Sequence, residues 1–224
     1  MTLAKICGLT TAEALDAALV GGAAFVGAVV FPKSPRHVEL SQAATLFQRA
    51  RGRAKLVAVT VDADDDLLTA IGLTLKPDLI QLHGQETPDR AVRARTLTGA
   101  GIIRSLAIRR DEDMAEAGVW ESHVDHLMFD AKPPEGATLP GGMGARFDWT
   151  LLADRVFRRP WFLAGGLNAE NVAHAIKVSG APMVDVSSGL ETAPGVKEPA
   201  LISAFLDVAG SARFPPRAAP NTAS

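Results

Sequence analysis

The chain has a single cysteine, no tyrosine, few aromatic residues and no long uninterrupted apolar run. One thiol excludes an internal disulfide, so Cys7 is either inert packing or chemistry. Without tyrosine, any proton relay falls to Asp, Glu, His, Cys or Lys. Gly, Lys and Asp interrupt each apolar stretch before it can span a bilayer, and no apolar core follows a basic N-terminus. The expectation is a soluble, cytoplasmic protein with no membrane partner. Net charge is −2 and there is no long basic run, which argues against nucleic acid as a partner. The five histidines are scattered, with no His-x-x-x-His or Cys-x-x-Cys and no Walker loop, so no metal and no cofactor is expected.

What is present is a regular alternation. At 224 residues and 47% apolar content, the chain can bury a large core. Short apolar runs fall at Leu3–Cys7, Phe25–Phe31, Leu56–Val61, Leu79–Leu82, Ile102–Ala107, His126–Asp130, Trp161–Ala164 and Met183–Val186. Helical segments lie between them, among them Thr11–Leu19, Ser41–Arg51, Asp64–Leu75, Pro88–Thr98, Asn168–Val178 and Glu198–Val208. Asp64, Ser41 and Asn168 suit N-caps and Pro88 a first turn. The strands are rich in β-branched and apolar residues with little alternation, as in a parallel sheet covered by helices. Eight such units without a composition break predict a single (β/α)8 TIM barrel over residues 1–210, with a Pro- and Ala-rich tail, 211–224, read as disordered. A doubly wound open sheet is the alternative, but its Gly-x-Gly-x-x-Gly turn is missing.

In a barrel the reactive groups sit on the loops that follow the strands. The first run ends in Cys7, before the chain-breaking Gly8, and the sixth ends in Asp130. A thiol and a carboxyl facing one barrel mouth form an acid/base pair. Taken alone, Asp130 is equally an N-cap or a salt-bridge residue; an acid closing an apolar strand favours the site reading. After runs seven and eight come Ala164-Gly165-Gly166-Leu167-Asn168 and Ser187-Ser188-Gly189-Leu190-Glu191. Gly165, Gly166, Ser187, Ser188 and Gly189 would let backbone N–H groups approach an anion, where barrels commonly hold phosphate. Gly141, Gly142 and Gly144 form either a loop that closes over a ligand or a plain connection. Arg36, on a loop that also carries Pro32 and Pro35, is held stiffly; it is a carboxylate clamp or a surface arginine. His83 either positions substrate or bonds to the backbone, and Arg104 is a candidate for pointing into the barrel.

These residues stand in the motifs Lys5-Ile6-Cys7-Gly8, Phe31 to Val38, Gln81-Leu82-His83-Gly84, Phe129-Asp130, Gly141 to Trp149, Leu163 to Leu167 and Asp185 to Glu191. In that order, and nearly from end to end, the chain resembles the phosphoribosylanthranilate isomerase family of tryptophan biosynthesis. Met143 departs from the threonine frequent in the family. The resemblance implies a cofactor-free Amadori rearrangement of N-(5-phosphoribosyl)anthranilate to 1-(2-carboxyphenylamino)-1-deoxyribulose 5-phosphate, by a monomer or homodimer acting on a small phosphosugar. It implies that Asp130 is the acid and Cys7 the base, Arg36 the carboxylate ligand, and the last two loops the phosphate site. Such a base calls for a thiol pKa below its ordinary value. Lys5 shares Cys7's strand face; it is expected to supply positive potential to the thiol, with Asp185 as its partner. A histidine-pathway isomerase is the rival enzyme, but would carry aspartate where Cys7 stands; an indole-forming synthase would use lysine and glutamate. A form accepting both isomerase substrates, and a non-catalytic phosphosugar-binding barrel, complete the alternatives.

Overall fold

A computed structural model describes residues 1–131 and 146–212. Eight parallel strands close a barrel in chain order: β1 (Leu3–Cys7), β2 (Phe25–Val29), β3 (Lys55–Thr60), β4 (Leu79–Leu82), β5 (Gly101–Ile108), β6 (His126–Ala131), β7 (Trp161–Leu163) and β8 (Met183–Val186). Closure pairs β1 with β8, placing Lys5 opposite Asp185. This excludes the open doubly wound sheet. Around it lie α1 (Ala12–Val20), α2 (Leu40–Ala50), α3 (Asp65–Thr74), α4 (Pro88–Thr98), α5 (Ala115–Trp120), α6 (Val172–Ser179) and α7 (Pro199–Ser211). Between β6 and β7 the described residues hold only a short 3-10 turn, Trp149–Leu152. No helix among the described residues is long and apolar enough to cross a membrane.

The strand period of two sorts the side chains. Phe25, Val29, Val57, Val59, Leu79, Ile103, Met128, Phe162 and Met183 fill the barrel interior, together with Cys7. The alternate residues, such as Ile6, Val26, Leu56, Ile80, Ile102 and Val184, pack outward against the helices. Toward the strand C-termini the interior rows change character, to Lys5, Gln81, Asp130 and Asp185, all buried. Polar groups in a nearly dry interior are costly unless paired, which marks this end of the barrel.

The caps hold in part. Asp64 accepts from Leu67 N at 2.8 Å and Thr87 caps the helix that Pro88 opens. Ser41 does not cap: α2 starts one residue earlier, at Leu40, and Glu39 precedes it without a side-chain cap bond. Asn168 does not open a helix either. Its Oδ1 accepts from Glu170 N and Asn171 N, closing a turn of its own before α6 begins at Val172. A further element escapes the sequence reading: β9 (Glu191–Ala193) and β10 (Val196–Lys197) form a small antiparallel hairpin after β8. Arg104 points away from the interior, because its neighbour Ile103 occupies the inward position; its guanidinium reaches Glu86 Oε2 at 2.7 Å and lies 4.6 Å over the Trp120 ring.

Candidate active site

Cys7 ends β1 facing Gly27, its register partner on β2. A Cβ at Gly27 would sit 3.2 Å from both Cys7 Sγ and Lys5 Nζ. The missing side chain is what gives thiol and ammonium their room. Lys5 is wholly buried, its Nζ 2.7 Å from Asp185 Oδ1. Burial works to lower its pKa, but the charge of Asp185, with Cys7 beside it, holds the ammonium above the usual lysine range. The thiol departs from expectation. Burial pushes Cys7 up, as does Asp185, while Lys5 and more weakly Lys197 pull it back. The balance leaves the thiol above its ordinary value, the opposite of what a preformed thiolate needs.

Asp130 ends β6. It is neither an N-cap nor part of a surface salt bridge: it is buried, Oδ1 accepts from Ala131 N at 2.8 Å, and Oδ2 lies 3.4 Å from His83 Nε2. His83 Nδ1 lies 3.0 Å from the amide nitrogen of Gln81, so the ring contacts side chains and not a carbonyl. Gly165 lets the β7 loop pass close by: with φ +91, its Cβ would be 2.7 Å from Ala131 N and 3.1 Å from Asp130 Oδ1.

Arg36 is no surface arginine. It forms a bidentate fork with Glu191, Nε to Oε1 at 2.7 Å and Nη2 to Oε2 at 2.8 Å, and is buried. Gly8, at φ +73, lets its Cδ approach to 2.7 Å of where a Cβ would stand. Lys197 completes the group. Its Nζ donates to Glu191, to Ser187 O at 3.2 Å and to Ser187 Oγ at 3.3 Å, and Ser187 Oγ donates to Cys7 O at 3.1 Å. Burial works to raise the Glu191 carboxyl, yet hydrogen bonds from Arg36 and Lys197 hold it down to about 2. Burial lowers Lys197 from its ordinary value, against the attraction of Glu191.

The loops of β7 and β8 meet at Gly189, whose Cβ would lie 2.0 Å from Leu167 O. Gly165 and Gly166 carry φ of +91 and +60, and Ser188–Leu190 is a single 3-10 turn. Gly166 O accepts from Asn171 Nδ2 at 2.9 Å and Arg146 Nε at 3.2 Å. The structure therefore brings Cys7, Lys5, Asp185, Arg36, Ser187, Ser188 and Gly189 to one group, and Asp130, His83, Gly165 and Gly166 to another, on the same barrel end. Gly141, Gly142, Gly144 and Met143 lie outside the described residues, as does the tail from residue 213. Glu191 and Lys197 are the members without a sequence-assigned role; their partner Arg36 lies 155 residues before Glu191, beyond any local pattern. Among the described residues no group of three or more His, Cys, Asp or Glu stands close enough together to hold a metal ion.

The chain matches the family model described as "PRAI: N-(5'phosphoribosyl)anthranilate (PRA) isomerase" over residues 4–208. The N-(5'-phosphoribosyl)anthranilate isomerase of Caulobacter sp. (strain K31) is 56% identical over 208 residues, covering 92% of this chain and 98% of that relative. Among solved structures, the phosphoribosyl anthranilate isomerase from Thermotoga maritima superposes with a TM-score of 0.83 at 31% identity, covering 94% of this chain and 99% of its own. A phosphoribosyl anthranilate isomerase in complex with reduced 1-(o-carboxyphenylamino)-1-deoxyribulose 5-phosphate gives a TM-score of 0.79 at 29% identity, with coverage of 94% and 99%.

Proposed function

The chain belongs to the N-(5'-phosphoribosyl)anthranilate isomerase family, and on that premise we propose how its residues perform the Amadori rearrangement in tryptophan biosynthesis. The observation that carries the reading is the placement of one thiol and one carboxyl, Cys7 and Asp130, at strand ends of the same barrel mouth, each against polar partners. Asp130 gives a proton to the furanose ring oxygen, and the ring opens to an iminium ion. Cys7 then removes the proton from C2′, leaving an enolamine that tautomerises to the ketone. The raised thiol fits this order. The iminium is a cation formed beside the sulfur, so it adds to Lys5 and Lys197 only after the ring has opened.

Arg36, held by Glu191, faces the anthranilate carboxylate, and Gly165, Gly166, Ser187, Ser188 and Gly189 take the phosphate. The catalytic domain is residues 1–210, the setting cytoplasmic, the partner a small phosphosugar, and the assembly a monomer or homodimer; no cofactor takes part. The test is loss of anthranilate-type fluorescence on mixing protein with freshly made substrate. Cys7→Ser and Asp130→Asn are each expected to lower kcat by about 10²–10⁴-fold with product affinity kept within a few-fold. Near-full kcat in Cys7→Ser would make the thiol packing, and strong inhibition by a chelator would refute the cofactor-free route.

A further inference from the structure

Gln81 is the last interior side chain of β4, two residues before His83, so both stand on the interior face. It is 1% exposed. Its amide nitrogen lies 3.0 Å from His83 Nδ1 and 3.4 Å from Met128 Sδ. A thioether only accepts hydrogen bonds. The group turned toward Met128 is therefore the NH2, and its other hydrogen points at His83 Nδ1. Nδ1 is then the acceptor, and the neutral ring carries its proton on Nε2, the nitrogen 3.4 Å from Asp130 Oδ2. The reverse orientation would set a carbonyl oxygen against sulfur lone pairs. Gln81 Oε1 meanwhile has no partner among the described residues: a buried acceptor is left unpaired while the NH2 stays aimed at the ring.

We propose that Gln81 is a positioning residue that fixes His83 as its Nε2–H tautomer and so supplies Asp130 with a hydrogen bond once its proton has passed to the substrate. With Ala131 N–H already on Oδ1, a small closure of the 3.4 Å gap between His83 Nε2 and Oδ2 gives the other oxygen of the new carboxylate a donor. The inference rests on Asp130 being the acid, and its test separates the two. In protein carrying 15N-labelled histidine, the His83 signals are assigned by their loss in His83→Asn, and the ring is expected to show a protonated Nε2 and a bare Nδ1. Gln81→Glu sets an acceptor-only carboxylate against Nδ1 and is expected to move a proton onto it. Gln81→Leu removes the donor; kcat should fall at least about 10-fold, short of the about 10²–10⁴-fold expected for losing the acid itself, with KM within a few-fold. A wild-type ring protonated on Nδ1 alone overturns the proposal whether or not either variant folds. So does an unchanged ring in Gln81→Glu, or full kcat in Gln81→Leu. Full turnover in Asp130→Asn, with the expected tautomer still in place, would instead refute the assignment of the acid.

Discussion

Glu191 holds two cations, Arg36 and Lys197, in a pocket nearly closed to water. Its carboxyl is held to about 2 against an ordinary 4.5. A carboxyl lowered by folding stabilises the native state above its ordinary pKa, and that stability drains away as pH falls through the folded value. The window is therefore pH 4.5 down to about 2, and the contribution at neutral pH is on the order of 3 kcal/mol. Denaturant unfolding of wild type and Glu191→Gln across that range should show the wild type losing its advantage as acid is added; parallel curves would dismiss the account. Lys197 sets the sign of the field. With Arg36 it outweighs the single carboxylate and leaves one net positive charge for an anionic substrate; without it, Arg36 and Glu191 cancel. Lys197→Met is expected to raise KM roughly tenfold, the scale of one charge-assisted bond, and to shift thiol alkylation of Cys7 to higher pH, since a cation that pulls the thiol down has gone. Lys197→Arg should restore most of both. At this scale the place of Cys7 and Asp130 at one barrel mouth was legible, because a polar residue closing an apolar run stands out in one dimension. The raised thiol was not, since burial depends on Gly27 and the strands around it, and neither was Glu191's grip on Arg36.

The loops that follow β7 and β8 work as one element because their backbones touch. At Gly189 a methyl group would stand 2.0 Å from Leu167 O, and a carbonyl cannot swing aside as a flexible side chain can. Gly189→Ala is expected to part the two loops, weakening competitive inhibition by inorganic phosphate about tenfold and costing about 1–3 kcal/mol in stability. Gly22→Ala is the control: at φ +79 with open space around it, it should cost about 1 kcal/mol of backbone strain and leave phosphate affinity alone. Equal phosphate affinity in wild type and Gly189→Ala would show that the close approach serves packing only. Among elements, the eight strands were legible because each is short and largely apolar. Asn168 misled because a short polar side chain closes a turn as readily as it starts a helix, and Ser41 because its helix begins one residue earlier. The β9–β10 hairpin has too few residues to show any period; it is fixed instead by contact, with the Gly195 turn, whose Cβ would lie 2.3 Å from Pro35 O, lying against the loop that carries Arg36.

Across the molecule the site is divided between the two halves of the barrel. Cys7, Arg36 and His83 come from β1, β2 and β4 and the loops after them; Asp130, Gly165 and Ser187 come with β6, β7 and β8. The barrel was legible as a whole because eight similar units leave few other ways to bury their strands, whereas the pairing of side chains across its mouth depends on closure. Closure also pairs Lys5, which is wholly buried, with a carboxylate 180 residues later, on the last strand of the barrel. On the ribosome, Lys5 emerges 180 residues before Asp185. Until then an ammonium sealed inside a partial sheet would lack its counter-charge, and burying it unpaired is costly. The consequence falls on truncation: a chain cut before β8 keeps its buried ammonium but loses the carboxylate that pairs it, and is expected to unfold rather than persist as seven strands, which loss of its circular-dichroism signal would check.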